Sequence, residues 1–77
     1  MKEKLKQYFK TEKFYVNIAL LHQDDVKQRN EICYAARQRA LGAIDIAQLC
    51  GLDYDTAEKM FYNYCDEMES MEYDSRH

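Results

Sequence analysis

The stretch that decides the fold of this chain lies at residues 46–60 and reads IAQLCGLDYDTAEKM. Apolar residues recur at helical spacing before Gly51, and the same spacing resumes after Asp53. Glycine readily ends a helix because it adopts a positive φ without steric cost. An aspartate just before the next helix can accept hydrogen bonds from its first free backbone N–H groups. The stretch therefore predicts two helices joined by a tight turn.

The composition of the whole chain also favours helices. The 77 residues include no proline and two glycines, although hairpins and β-sandwiches depend on turn residues. Hydrophobic residues make up 47% of the chain, which excludes a disordered composition. We therefore predict an all-α protein, with residues 1–77 forming one compact domain of three to four helices. Its core is helix-turn-helix-like, and its C-terminal helix is long and acidic.

The first third of the chain predicts one helix from residue 2 to residue 22. Its inner stripe consists of Leu5, Tyr8 and Phe9. The lysines Lys2, Lys6, Lys10 and Lys13 mostly face outward. From residue 14 to residue 21 the polar spacing disappears, which indicates a buried segment. A strand over residues 14–18 is the alternative, because Phe, Tyr, Val and Ile favour strands. We prefer a helix, since no second strand is evident for pairing.

The next helix is predicted to run from Val26 to Leu41, with its basic residues exposed. Val26 belongs to the inner face of this helix, together with Cys33, Ala36 and Ala40. Gly42 stands where a left-handed residue would end the helix. A short helix to Cys50 and the last helix then follow. The last helix carries an apolar stripe spaced by four and three residues, as in a coiled coil: Ala57, Phe61, Tyr64, Met68 and Met71. The stripe packs either within the chain or against a second copy, so a homodimer is one expectation.

Residues 43–62 resemble the helix-turn-helix unit of small DNA-binding regulators. Ala47 lies where a small residue lets the second helix cross closely, and Gly51 lies in the turn. The apolar contacts of the unit match Ile46, Cys50, Leu52, Ala57 and Met60. The resemblance implies that the helix over residues 26–41 braces the unit and that the last helix reads DNA. The residues that would contact DNA are Tyr54, Thr56 and Lys59, with Arg29, Arg37 and Arg39 holding the backbone.

The charge distribution departs from that chemistry. Residues 1–40 hold nine Lys and Arg against five Asp and Glu, whereas residues 41–77 hold two against nine, which leaves net charges of +4 and −7. Asp53, Asp55 and Glu58 lie at the start of the last helix, where they would oppose the phosphates of a duplex.

The preferred hypothesis is therefore a small non-catalytic regulator that binds the basic surface of a protein partner. Phage and mobile-element accessory proteins and inhibitors are of this kind. The residues predicted to bind the partner are Tyr54, Glu58, Tyr62, Asp66, Glu67, Glu69 and Tyr73. A dimeric DNA-binding transcriptional regulator is the alternative.

Other classes of function have little support in the sequence. The three cysteines lack paired spacing, so we predict buried free thiols and neither a metal nor a cofactor. No glycine-rich phosphate loop or nucleophile–histidine–carboxylate set indicates an enzyme. The apolar run at residues 14–21 is shorter than the roughly 20 residues that span a bilayer. No signal peptide is recognisable, so we expect a cytoplasmic protein without membrane contact.

Overall fold

The computed structural model describes the backbone of residues 1–74 and the side chains of residues 1–72. This part of the chain forms three helices and no strand: α1 (Lys2–Leu21), α2 (Val26–Leu49) and α3 (Tyr54–Asp74). The all-α prediction is confirmed. Because α1 continues through residues 14–18, the strand alternative for that segment is wrong.

Side chains and a glycine define the two connections between helices. The Asp25 carboxylate caps α2 by accepting hydrogen bonds from the backbone N–H groups of Lys27 (2.8 Å) and Gln28 (3.4 Å). After α2, Gly51 has a φ of 103°, and the Leu52 N–H donates to the Ala47 carbonyl at 2.9 Å. This bond belongs to the Schellman motif, which satisfies carbonyls at the end of a helix.

The start of α3 is capped as the sequence predicts. The Asp53 carboxylate accepts hydrogen bonds from both the backbone N–H and the hydroxyl of Thr56, each at 3.1 Å. The turn chemistry predicted around Gly51 and Asp53 is therefore confirmed.

The predicted helix end at Gly42 is wrong, because α2 is one helix of 24 residues. The buried residues Ile44 and Ala47 continue the helical spacing of the buried residues Ala36 and Ala40. Burial of these side chains outweighs the penalty of about 1 kcal/mol for a glycine inside a helix. The helix predicted to brace the turn unit and the first helix of that unit are consequently the same element.

The axes of the three helices are aligned with the long axis of the molecule. The molecule measures 40 × 17 × 16 Å. A helix of 24 residues, such as α2, is about 36 Å long, so α2 fits only along the long axis. The short connections then make α2 and α3 an antiparallel hairpin within a three-helix bundle. In DNA-binding helix-turn-helix units the helices cross at about 90–120°. The turn thus resembles that unit, whereas the arrangement of the helix axes differs from it.

The core lies between all three helices and contains small side chains where they approach closely. The buried apolar residues are Leu5, Phe9, Val16 and Leu20 from α1, Cys33, Ala36, Ala40, Ile44 and Ala47 from α2, and Ala57, Tyr64 and Met68 from α3. The ring of Phe9 stacks on the ring of Tyr64 with a centroid separation of 4.8 Å. The apolar stripe of the last helix therefore packs within its own chain, and the expectation of a dimer formed through this stripe has no basis.

Arg29 is buried, contrary to the prediction that the basic residues of its helix are exposed. Only 3% of its surface is accessible. Its Nη1 donates to the carbonyls of Leu20 (2.5 Å) and Gln23 (2.8 Å), and its Nη2 donates to the carbonyl of Glu72 (3.0 Å). Carbonyls at the C-terminal end of a helix have no partner inside that helix. Arg29 thus joins the C-terminal ends of α1 and α3 from its position on α2.

The segment predicted to be buried at residues 14–21 is only half buried. Val16 and Leu20 enter the core, but Phe14, Ile18 and Leu21 are exposed on the opposite side of α1. A helix at the outside of a three-helix bundle can turn only one side toward the core, so the remaining apolar residues face outward. Three further residues predicted to be inside are also exposed: Val26, Ile46 and Cys50.

Candidate functional site

A groove lies between α2 and α3, and its lining is apolar with an acidic rim. We refer to it as the α2/α3 groove. Its lining residues are Leu41, Ile44, Asp45, Gln48, Tyr54, Glu58, Phe61 and Tyr62.

Helical spacing and small core residues position this lining. On each helix the groove residues recur at intervals of three and four and include one adjacent pair, so they form one strip beside the core. Ala40 and Ala57 are fully buried and allow α2 and α3 to approach closely. Ile44 and Phe61 pack toward the core, whereas Tyr54 and Tyr62 are 65% and 57% exposed.

The floor and rim of the groove differ in polarity. Ile44 is buried and Phe61 is partly buried against the core, which makes the floor apolar. The charged residues of the lining are Asp45 and Glu58, and both are acidic. The α2/α3 groove can therefore accept an apolar side chain while its rim attracts a cation.

Three of the seven predicted partner-binding residues, Tyr54, Glu58 and Tyr62, lie in this groove. Asp66 and Glu69 are exposed further along α3, and their spacing from Tyr62 places them on the same outer face.

Two predicted residues do not belong with the others. Glu67 faces α1, where its carboxylate forms an ion pair with the Nζ of Lys13. The side chain of Tyr73 lies outside the described residues.

Sequence reasoning missed the contribution of α2 to this groove. Leu41, Asp45 and Gln48 recur at intervals of four and three, which places them on one face of a helix. That signal was available in the sequence, but the predicted helix end at Gly42 separated Leu41 from the other two residues.

The residues predicted to bind DNA do not form one surface. The Arg29 guanidinium is bonded to backbone carbonyls inside the bundle, so the predicted phosphate contact is wrong. Arg39 makes a bidentate ion pair with Glu12 of α1, through contacts of 3.0 and 3.2 Å. Arg37 is half buried near two thiols, where its charge opposes the effect of burial on the pKa values of Cys33 and Cys65.

At the start of α3, the other three residues of that set remain near one another. Tyr54 and Lys59 are exposed, while the hydroxyl of Thr56 donates to the capping carboxylate of Asp53. These residues could contact a ligand without help from the arginines.

A partly buried polar cluster lies where α1 meets α2 and α3. Burial raises the pKa of Tyr64, and the negative charge of Glu12 raises this pKa further. Burial also raises the pKa of Tyr8, which lies beside Glu12 and Arg39. Within the described residues, the Tyr64 hydroxyl has no hydrogen-bond partner although the residue is only 2% exposed. We assign this cluster to the packing of α1 rather than to a binding site.

The three thiols differ in exposure. Cys33 is buried and Cys65 is half buried, but Cys50 is exposed, which corrects the prediction that all three are buried. Burial raises the pKa of Cys33 and of Cys65. Among the described residues, no group of three or more His, Cys, Asp or Glu is arranged to hold a metal ion.

None of the helices in the described part of the chain has the length and apolar character needed to cross a membrane. Comparisons with protein-family models, curated proteins and solved structures found no significant match to this chain.

Proposed function

We propose that this chain is a non-catalytic regulator that binds a protein partner in its α2/α3 groove. The observation that carries the proposal is the exposure of Tyr54 and Tyr62 above an apolar floor, with Asp45 and Glu58 at the rim. Tyrosine is enriched among the residues that dominate binding energy at protein interfaces. A pair of tyrosines that the core does not absorb therefore supports a docking role.

The chemistry of the groove specifies the kind of partner. A helix or an extended segment with apolar side chains could bury them against Ile44 and Phe61. Lys or Arg residues beside those apolar side chains would meet the carboxylates of Asp45 and Glu58. The outward row of Asp66 and Glu69 would extend the acidic surface along the partner. Such charge complementarity chiefly raises the association rate and the selectivity.

A partner with a basic surface suggests a regulatory outcome. Basic surfaces of proteins commonly bind nucleic acid, and occupation by an acidic helix would block that binding. We therefore propose that the chain acts in the cytoplasm as an inhibitor or accessory factor, of the type used by phages and mobile elements.

The test compares charge reversals inside and outside the groove. The immobilised chain is used to capture proteins from the source cells, and the dissociation constant of the purified captured protein is then measured. We expect D45K/E58K to weaken binding at least about tenfold, since two attractive contacts become repulsive. The matched control is E3K/E31K, which reverses two exposed carboxylates outside the groove. Equal affinity of the two double variants would refute the groove as the binding site.

Reading of DNA by the start of α3 is the alternative proposal. The turn around Gly51 and Asp53 and the exposure of Tyr54 and Lys59 favour it. Fluorescence anisotropy with duplex DNA at low salt tests this alternative. Affinity that falls steeply as salt rises, and falls again in Y54A and K59A, would support DNA binding. No change in anisotropy would exclude it.

A further inference from the structure

We propose that the outer face of α1 is an interface with a second copy of this chain. The face consists of Phe14, Ile18 and Leu21, which we call the α1 ridge. These residues are 62%, 39% and 62% exposed. Their spacing of four and three residues aligns them along one side of the helix. This inference is independent of the proposed function, because the ridge shares no residue with the α2/α3 groove.

The α1 ridge lies largely opposite the side of α1 that the bundle uses, although Phe14 and Lys10 also border a groove between α1 and α3. Val16 and Leu20, which lie between the ridge residues in sequence, are 2% and 1% exposed. The bundle is therefore complete without the ridge. Tyr15, which is 63% exposed, widens the apolar area beside it. An apolar row of this kind on a helix is typical of a surface that packs against another helix.

Charges at the two ends of the ridge identify the occupant. Lys10 is exposed one turn before Phe14, on the same face of α1. Asp24 is exposed in the connection just after Leu21. The ridge thus has a cation at one end and a carboxylate at the other.

An antiparallel pair of α1 helices satisfies both ends at once. With a two-fold axis between Asn17 and Ile18, Phe14 of one copy lies opposite Leu21 of the other, and the two Ile18 side chains are offset by about one residue along the helices. Lys10 of each copy then approaches Asp24 of the other. A two-fold interface requires this kind of self-complementarity. An anionic lipid surface would attract Lys10 and the exposed lysines that precede it in α1, but it would repel Asp24 and the adjacent exposed Asp25 at the other end of the ridge.

The dimer would leave both α2/α3 grooves accessible. The ridge faces away from the core on α1, while the groove lies between the other two helices. A dimer would therefore present two grooves and could bind a partner that carries two matching segments with increased avidity.

Sedimentation equilibrium of the full chain tests the interface. Because one helix pair gives a small contact area, we expect a dissociation constant of about 10–100 µM. I18E places two carboxylates at the two-fold axis and should weaken the dimer at least about a hundredfold. The matched control is I46E, because Ile46 is also exposed but lies on α2 away from the ridge. Circular dichroism establishes that both variants remain helical.

The charge pair provides a second, more specific measurement. K10E alone and D24K alone should each weaken self-association about threefold to tenfold, since each homodimer then contains two repulsive contacts. An equimolar mixture of the two variants should recover the wild-type dissociation constant, because each contact in the mixed dimer is again attractive.

Other results would overturn the proposed dimer or its antiparallel arrangement. A wild-type chain that stays monomeric at millimolar concentration would overturn the proposal, as would equal weakening by I18E and I46E. Failure of the K10E and D24K mixture to recover affinity would refute the antiparallel arrangement. A monomer whose co-sedimentation with phosphatidylserine vesicles is lost in I18E but not in I46E would show that the ridge binds lipid instead.

Discussion

Arg29 provides the most demanding test of this structure, because one buried side chain holds the ends of two other helices. Its guanidinium donates to Leu20, Gln23 and Glu72 carbonyls at 2.5–3.0 Å. A hydrogen bond from a charged donor contributes about 1.5–3 kcal/mol, so three of them contribute roughly 4–9 kcal/mol. Burial of the guanidinium charge offsets several kcal/mol of this gain.

We therefore expect R29A to lower the free energy of unfolding by about 3–5 kcal/mol. A chain of this length is expected to have a total stability of roughly 4–12 kcal/mol, so the loss is a large part of the whole. R29K retains the charge but has one nitrogen in place of a planar fork of donors, so we expect about half of that loss.

Urea denaturation followed by circular dichroism at neutral pH measures these changes as shifts in the midpoint and the extrapolated free energy. The control is K27A, which removes an exposed cation from the same helix and should change stability by less than about 0.5 kcal/mol. If R29A loses less than about 1 kcal/mol, or no more than K27A, the assignment of Arg29 as the link between the helix ends is wrong.

Three further predictions test the turn, the core and the thiols. G51A should destabilise the protein by about 1–2 kcal/mol, because a side chain disfavours a φ of 103°. G42A should stabilise it by about 0.5–1 kcal/mol, because Gly42 lies inside α2 with open space around it. Thermal melts that show the opposite signs would contradict these two backbone assignments. Y64F removes a buried hydroxyl without a hydrogen-bond partner in the described structure, so we expect an increase in stability of about 1 kcal/mol. A lower melting temperature for Y64F would instead show that the hydroxyl is satisfied in solution. Iodoacetamide should modify the exposed Cys50 rapidly and Cys33 slowly, since burial both shields the Cys33 thiol and raises its pKa. Peptide mass spectrometry over time measures the two rates. Faster modification of Cys33 than of Cys50 would contradict the burial of Cys33.

Part of this structure follows from local chemistry and was therefore predictable from the sequence. The absence of proline and the periodic apolar residues indicate helices throughout. Gly51 ends α2 and Asp53 caps α3 through contacts made within a few residues of each position. The sequence also predicted that Tyr54, Glu58 and Tyr62 bind a partner, because their spacing places them near one face of the last helix, and the structure places all three in one groove.

Other features depended on how the three helices pack, and the sequence alone assigned them incorrectly. Gly42 remains inside α2 because burial of Ile44 and Ala47 outweighs local propensity. Arg29 is buried because the helix ends supply carbonyls that are distant in sequence. The α1 ridge became visible only in the tertiary structure, and the α2 side of the groove was missed because the sequence predicted a helix end at Gly42. Periodicity shows that a helix has an apolar side, but only the neighbouring helices determine which apolar side is covered.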